Sequence, residues 1–209
     1  MKLTILGATG GTGHQLVRAA IGAGHEVTAI VRRPDAITES SPQLRVVRGD
    51  LLDPRWTGEG IEGADAVLCA IGATSRGPTT LYSAATAAVL KAMDNAGVRR
   101  ILAVTADPTR PAKDRQAELK IVHLILWQFL RGTYEDMRRM EQLLAASDTD
   151  WTVFRPPRLD NGPLTGKARI AVGEYLPRGW VVSRADLAAA MLADIHDPAT
   201  LRQVVAIAR

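Results

Sequence analysis

The sequence predicts an α/β fold, a doubly wound parallel sheet in a single domain. Three observations predict it. Short apolar runs rich in β-branched residues recur along the chain. They alternate with helical patterns, as parallel sheets covered on both faces require. A glycine-rich turn joins the first run to the first helix. At 209 residues the chain is long enough to bury one sizeable core.

The first 33 residues organise the rest. Lys2 to Leu6 reads as a buried strand, and Gly7-Ala8-Thr9-Gly10-Gly11-Thr12-Gly13 follows at once. Leu16, Val17, Ala20 and Ile21 then share one helical face, Gly24 is a stop signal, and Val27 to Val31 is a second strand. In this context a glycine fingerprint indicates dinucleotide binding on a Rossmann-type fold. Gly7 turns the chain as it leaves the strand. Gly10 admits a diphosphate close to the backbone, and Gly13 lets helix and strand pack closely. The unpaired N–H groups and positive dipole end of the first helical turn stabilise an anion there. Thr9 and Thr12 add hydroxyl donors.

The end of the second strand addresses which dinucleotide binds. An NAD site usually carries an acid here, for the ribose 2′-hydroxyl. This chain has Arg32 and Arg33, suited to a 2′-phosphate through paired hydrogen bonds. The reading is NADP(H), with Arg32 nearer the strand end; the alternative is two solvated surface arginines. Pro34 ends the strand, and Leu44 to Arg48 is a third. Asp50, just past it, either accepts from the adenine amine or caps a turn.

Ala64 to Ala70 is a fourth strand, leading into a loop of small residues after Ile71 and Gly72. Cys69 lies inside it and reads as a packed thiol. Thr79 to Ala96 is a long helix ending at Gly97, and Arg100 to Thr105 a fifth strand. Residues 109–132 form a helical, lid-like insertion, apolar almost throughout from Ile121 to Leu130 and ended by Gly132. Such a stretch must be covered, by substrate, a second subunit or the domain itself. Thr133 is a candidate cap for a second helix, Tyr134 to Ala146, with Glu135 and Asp136 favouring its dipole. Thr152 to Phe154 is a sixth strand. Pro156-Pro157 then fixes a loop at the crevice edge, where a cis bond is allowed. Ala168 to Val172 and Trp180 to Val182 read as short strands. Ser183 caps a helix of Ala185 to Ile195, and Gln203 to Ile207 is the last strand.

Composition narrows the function. The chain is 46% hydrophobic and 23% charged, with a net charge of only +4 and no basic run interleaved with aromatics. Nothing calls for nucleic acid. One cysteine and four scattered histidines (His14, His25, His123, His196) build no metal cluster. No apolar stretch is long enough to span a bilayer. A strand beginning at Lys2 leaves no signal peptide, so a reducing cytoplasmic location is expected.

With these residues in view, the chain resembles the atypical short-chain dehydrogenase/reductase group with NAD(P)H-binding, NmrA-like members. Within that group it is most similar to the biliverdin-IXβ/flavin reductase family. The matching segments are GATGGTG at 7–13, VRRP at 31–34, GDLLD at 49–53, GPTT at 77–80, PPRLDNGPLTG at 156–166 and VVSRADLAAAML at 181–192. The resemblance implies NADPH as hydride donor and places Gly7, Thr9, Gly10, Gly11, Thr12 and Gly13 on the pyrophosphate. Arg32 and Arg33 would hold the 2′-phosphate, and Asp50 and Leu51 would border the adenine. Ile71, Gly72 and Arg76 would lie near the diphosphate or the substrate entrance. Thr105 stands where the family has a serine near the nicotinamide. Pro156, Pro157, Arg158 and Leu159 would flank nicotinamide and substrate, with Trp127 a substrate contact from the insertion.

Two departures qualify what carries over. The family's Pro-Pro-His is Pro-Pro-Arg here, and an arginine cannot shuttle protons near neutral pH. The segment between Thr105 and Trp151 is also about ten residues longer than the family's. A Tyr-x-x-x-Lys pair is missing, because Tyr134 is followed four positions on by Arg138. That argues against alcohol–ketone chemistry. It suits hydride transfer to a planar conjugated acceptor such as a flavin, quinone or tetrapyrrole, with Thr105 as an orienting hydroxyl and the last proton from water. Flavin would then be a substrate rather than a bound prosthetic group. The expected species is a monomer or homodimer acting on a small molecule. The alternative is a non-catalytic NADP(H)-binding sensor that docks a partner through residues 121–130.

Overall fold

The computed structural model describes residues 1–53, 55–73, 79–107 and 120–209, and gives residues 120–129 as backbone only. Nine of the segments pair into strands as the apolar runs indicate, and a tenth was not read from sequence. Lys2–Leu6 (β1), Glu26–Val31 (β2), Leu44–Arg48 (β3), Ala66–Cys69 (β4), Arg100–Val104 (β5) and Asp150–Arg155 (β6) are followed by Arg158–Asp160 (β7), Arg169–Val172 (β8), Val181–Ser183 (β9) and Gln203–Ala208 (β10). The helices are Gly11–Gly22 (α1), Leu81–Ala96 (α2), Lys120–Ala146 (α3) and Arg184–Ala193 (α4).

Eight strands form one sheet in the order β3-β2-β1-β4-β5-β6-β10-β8. All neighbours are parallel except β8, which runs antiparallel to β10 at the edge. The order reverses direction at β1, so a crevice opens between the carboxyl ends of β1 and β4. β7, the short strand read as loop, pairs with β9 just beyond the end of β6. The Pro-Pro bond before it is trans, as are the other described peptide bonds.

The strands read as continuous apolar runs because both faces of the sheet are buried. Along them the side chains alternate. Leu3, Ile5, Leu68, Leu102 and Phe154 pack with Leu16, Val17 and Leu187 under α1 and α4. Leu6, Val67, Cys69, Ile101 and Val153 pack with Val89, Met93, Met140 and Leu144 under α2 and α3. Burial pushes the Cys69 thiol up to about 11, which makes it an inert core residue.

Two helical expectations change. The break at Gly132-Thr133 does not occur, and α3 runs unbroken for 27 residues. A mid-helix glycine costs only about 1 kcal/mol relative to alanine. The i,i+4 pair of Arg131 with Glu135 at 2.7 Å and the packing of α3 on α2 offset it. Asp136 therefore does not serve the N-terminus of its own helix. Fully buried, it accepts from the backbone N–H of Tyr82 at 2.8 Å and from the Ser83 hydroxyl, capping α2 instead. Tyr134 is buried. Residues 109–119 of the expected insertion lie outside the described residues, and 120–132 form the first turns of α3.

At the far end of α4 a buried arginine fixes the helix to the sheet. Arg100 donates to the carbonyls of Ile195 at 2.7 Å and Asp194 at 2.6 Å, and to the Thr152 hydroxyl at 2.8 Å. Burial lowers its pKa, and the charges of Asp150, Asp194 and Asp197 oppose that.

Candidate functional site

The glycine turn sits at the reversal point, at the carboxyl end of β1. Gly7 has φ +77, and a Cβ there would lie 2.5 Å from the Ala70 carbonyl oxygen. Only glycine meets both demands. A Cβ at Gly13 would lie 2.1 Å from the Gly7 oxygen, so α1 packs against the turn with no room for a methyl group. The Gly10 N–H donates to Gly7 at 2.9 Å and closes the turn. Gly10 is also the N-cap of α1, and no side chain caps the helix. The first-turn N–H groups from Gly11 onward thus face the crevice without intrahelical partners. Thr9 is exposed beside them, whereas Thr12 is buried.

Arg32 and Arg33 are both exposed at the end of β2, and neither is in an ion pair among the described residues. Nearby, His14 Nε2 meets Glu39 Oε1, tying α1 to the loop after β2. Asp50 accepts from the Leu52 N–H at 3.0 Å, the turn-capping geometry. Its carboxylate is exposed, while Leu51 is half-buried against the core beside Trp56. On the β4 side Ile71 packs on the same core and Gly72 is exposed, with open space where a Cβ would be. The next N–H, that of Ala73, donates to the Tyr82 hydroxyl at 3.0 Å, which holds this loop to α2. Arg76 lies outside the described residues.

Beyond β5 and β6 a charged group forms that the residue pattern did not reveal. The Thr105 hydroxyl donates to Glu141 Oε1 at 2.7 Å, and Arg155 grips both oxygens of that carboxylate, at 2.9 and 2.6 Å. Thr105 is 4% exposed. The expected orienting hydroxyl has its proton committed to Glu141 and keeps only acceptor capacity. The Pro156 carbonyl accepts from the Asp107 N–H at 2.9 Å. Pro156 is buried, Pro157 and Leu159 are half-buried, and Arg158 is exposed. Burial raises the Tyr82 and Tyr134 phenols, and the charge of Asp107 adds to the shift at Tyr134. Neither is tuned for proton donation near neutral pH. Trp127 lies in α3, but its side chain is outside the described residues.

Sequence reasoning also missed the network at the start of α4. Ser183 caps the helix as expected, accepting from the Asp186 N–H at 2.9 Å. Asp186, 3% exposed, accepts in turn from the Thr165 N–H, the Gly166 N–H and the Thr165 hydroxyl, at 2.8, 2.9 and 2.8 Å. Burial pushes this carboxyl up, but the hydrogen bonds from Thr165, Ser183 and Gly166 outweigh it and hold the pKa low. The Pro-Leu-Thr-Gly and Ser-x-x-Asp segments are two halves of one latch. Ser183 was visible as a cap; Asp186 and its partner in the 163–166 loop were not. Next to the latch, Arg184 reaches the Asn161 side-chain oxygen at 2.7 Å.

A cavity of about 580 Å³ opens at the amino ends of β1–β3 and is lined by residues that include Lys2, Glu26, Gln43, Arg45 and Glu62. It is at the opposite edge of the sheet from the glycine turn. Among the described residues no group of three His, Cys, Asp or Glu is placed to hold a metal, and no helix is long and apolar enough to cross a membrane.

A Rossmann sheet with an uncapped glycine-rich helix start at its reversal point defines a dinucleotide-binding protein. The chain belongs to the NAD(P)H-binding family whose model matches residues 7–198. Two Bacillus subtilis proteins are similar to it. One, named uncharacterized protein YwnB, is 35% identical over 104 residues, covering 50% of this chain and 46% of YwnB, so the match spans about half of that relative. The other, named uncharacterized sugar epimerase YhfK, is 27% identical over 96% of this chain and 90% of its own length. Among solved structures, the anaerobillin reductase ChuY of Escherichia coli O157:H7 superposes with a TM-score of 0.81. It is 24% identical, with 100% of this chain and 97% of ChuY covered. The family's neighbours thus include oxidoreductases and epimerases.

Proposed function

We propose that the protein is an NADPH-dependent reductase of a planar conjugated acceptor, a flavin, a quinone or a tetrapyrrole-like molecule. The observation that carries this reading is the state of the Thr105, Tyr82 and Tyr134 hydroxyls around the ends of β5 and β6. The Thr105 proton is held by Glu141, and the Tyr82 and Tyr134 phenols are pushed up. Carbonyl reduction and sugar epimerisation call for a tuned proton carrier, whereas hydride delivery to a conjugated acceptor relies on stacking and proximity. The likeness to ChuY supports a reductase of this kind.

In this reading Gly7, Thr9, Gly10, Gly11, Thr12 and Gly13 hold the diphosphate. Arg32 and Arg33 take the 2′-phosphate, Asp50 and Leu51 border the adenine, and Ile71, Gly72 and Arg76 are assigned to the diphosphate or the substrate entrance. Pro156 and Pro157 flank the nicotinamide. The bound cofactor supplies hydride from its nicotinamide C4. Thr105 accepts from the carboxamide while Glu141 and Arg155 fix its rotamer. Arg158 offers a fixed positive charge to an acidic acceptor, beside Leu159; Trp127 is proposed as a further acceptor contact. The final proton comes from water.

NADPH oxidation by the purified chain with FMN, riboflavin, quinones and a bilin tests the proposal. Turnover with at least one is expected; tight NADPH binding with no turnover on any overturns it. The apolar 121–130 run favours one second reading, an NADP(H) sensor that docks a protein. That reading requires equal affinity for both redox states and a partner lost on changing Ile125 and Trp127.

A further inference from the structure

Arg184 is the first residue of α4, yet its side chain lies against the start of α1. A Cβ added to Gly11 would be 2.8 Å from Arg184 Nε and 2.9 Å from its Cδ. Gly11 is the first residue of α1 and the fifth of the fingerprint. The glycine there is what admits the arginine. Its guanidinium is positioned from two sides. Nη1 donates to the Asn161 side-chain oxygen, and the Ser183–Asp186–Thr165 latch fixes the helix from which it projects.

The electrostatics of this position are unusual. α1 and α4 pack together with the start of α4 against Gly11; Ser183 and the Asp186 carboxylate answer the dipole of α4, whereas the start of α1 has neither a side-chain cap nor an acid in its first turn. Cations are disfavoured at a helix N-terminus. Arg184 nevertheless occupies this one, in no ion pair with a carboxylate among the described residues. The uncapped start of α1 and a guanidinium whose described side-chain partner is a neutral amide leave a positive arrangement that an anion completes.

We infer that Arg184 is a diphosphate ligand. It reaches the bridge of the dinucleotide from beside Gly11, with Asn161 setting its plane. The inference rests on the cofactor placement proposed above but not on any reductase activity. It gives the start of α4 a binding role about 170 positions from the fingerprint by chain order.

Direct binding to the full-length protein tests it, using NADPH, NADH, ADP-ribose and adenosine 2′-phosphate as probes. Arg184→Gln should weaken NADPH, NADH and ADP-ribose by the same factor, about tenfold or more for a lost charge-assisted contact. Adenosine 2′-phosphate, which has no diphosphate, should bind the variant within about twofold of the parent. Arg184→Lys keeps the charge without the fork and should recover part of the loss. Unchanged ADP-ribose binding in Arg184→Gln overturns the inference. So does an equal loss for adenosine 2′-phosphate, which would mark general damage to the fold. If the parent binds all the nicotinamide probes yet reduces no acceptor, the reductase reading falls and this one stands. If the parent binds none, both fall.

Discussion

Thr105 and Glu141 meet at 2.7 Å across the gap between the end of β5 and the C-terminal part of α3, and Arg155 completes the group from β6. The three residues come from three elements, so the group fixes how α3 sits over the crevice. Glu141 and Arg155 are 13% and 16% exposed at their side chains. Removing one partner of a pair this buried leaves the other charge uncompensated. Glu141→Ala should cost about 2–3 kcal/mol, and Thr105→Val about 1 kcal/mol, in urea denaturation. If Glu141→Ala proves neutral, the triad is not a structural anchor.

Asp136 offers a second test of how α2 and α3 are joined. Its carboxylate is the N-terminal cap of α2, supplied from another helix. Arg139 stands 3.5 Å away, but it is half-exposed and adds little. Asp136→Ala leaves the Tyr82 N–H without its acceptor in a buried place, and a loss of about 2 kcal/mol is expected by denaturation. Asp136→Asn keeps one acceptor and should lose less.

These two carboxylates show where the sequence was legible. Periodicity named the strands because the parallel sheet is buried on both faces, and the glycine turn could be located because Gly7 and Gly13 answer to local sterics. Ser183 was readable as a cap for the same reason. Asp136, Glu141 and Asp186 were not, because each acts on an element distant in the chain. A carboxylate in a helix pattern looks solvated until tertiary packing places a donor against it. The break expected at Gly132 failed likewise, since helix propensity is a weak prior against packing. At the crevice Arg32 and Arg33 followed from their position after the second strand, while Arg184 needed the fold to bring α4 beside α1.

The arginine pair makes a cofactor prediction independent of turnover. Both guanidinium groups are exposed and lack an ion-pair partner among the described residues, so either is available to a 2′-phosphate. Arg32→Ala should weaken NADPH binding by about tenfold or more and leave NADH nearly unchanged. This is the opposite signature to Arg184→Gln, which treats the two alike. Titration calorimetry with both nucleotides reads it directly. An equal NADPH-to-NADH ratio in parent and variant would remove the 2′-phosphate role from Arg32.

A pH prediction follows from Asp194, at the end of α4. Burial pushes its carboxyl up to about 6, helped by the charge of Asp197 and opposed by Arg100. One of its oxygens, Oδ2, is buried with no hydrogen-bond partner among the described residues. The unfolded chain releases this proton near pH 4, and the folded chain holds it until about pH 6. Between those values the folded state binds more protons, so this group's contribution to stability is present below about pH 4 and is lost as pH rises through 6. The full shift would correspond to about 3 kcal/mol. Partial solvation of the group reduces the expected change to about 1–2 kcal/mol. Asp194→Asn removes the titration. The stability of the variant relative to the parent should therefore rise by that amount between pH 4 and pH 7 in paired denaturation series. A difference that does not change with pH would mean that the carboxylate is solvated in the folded state.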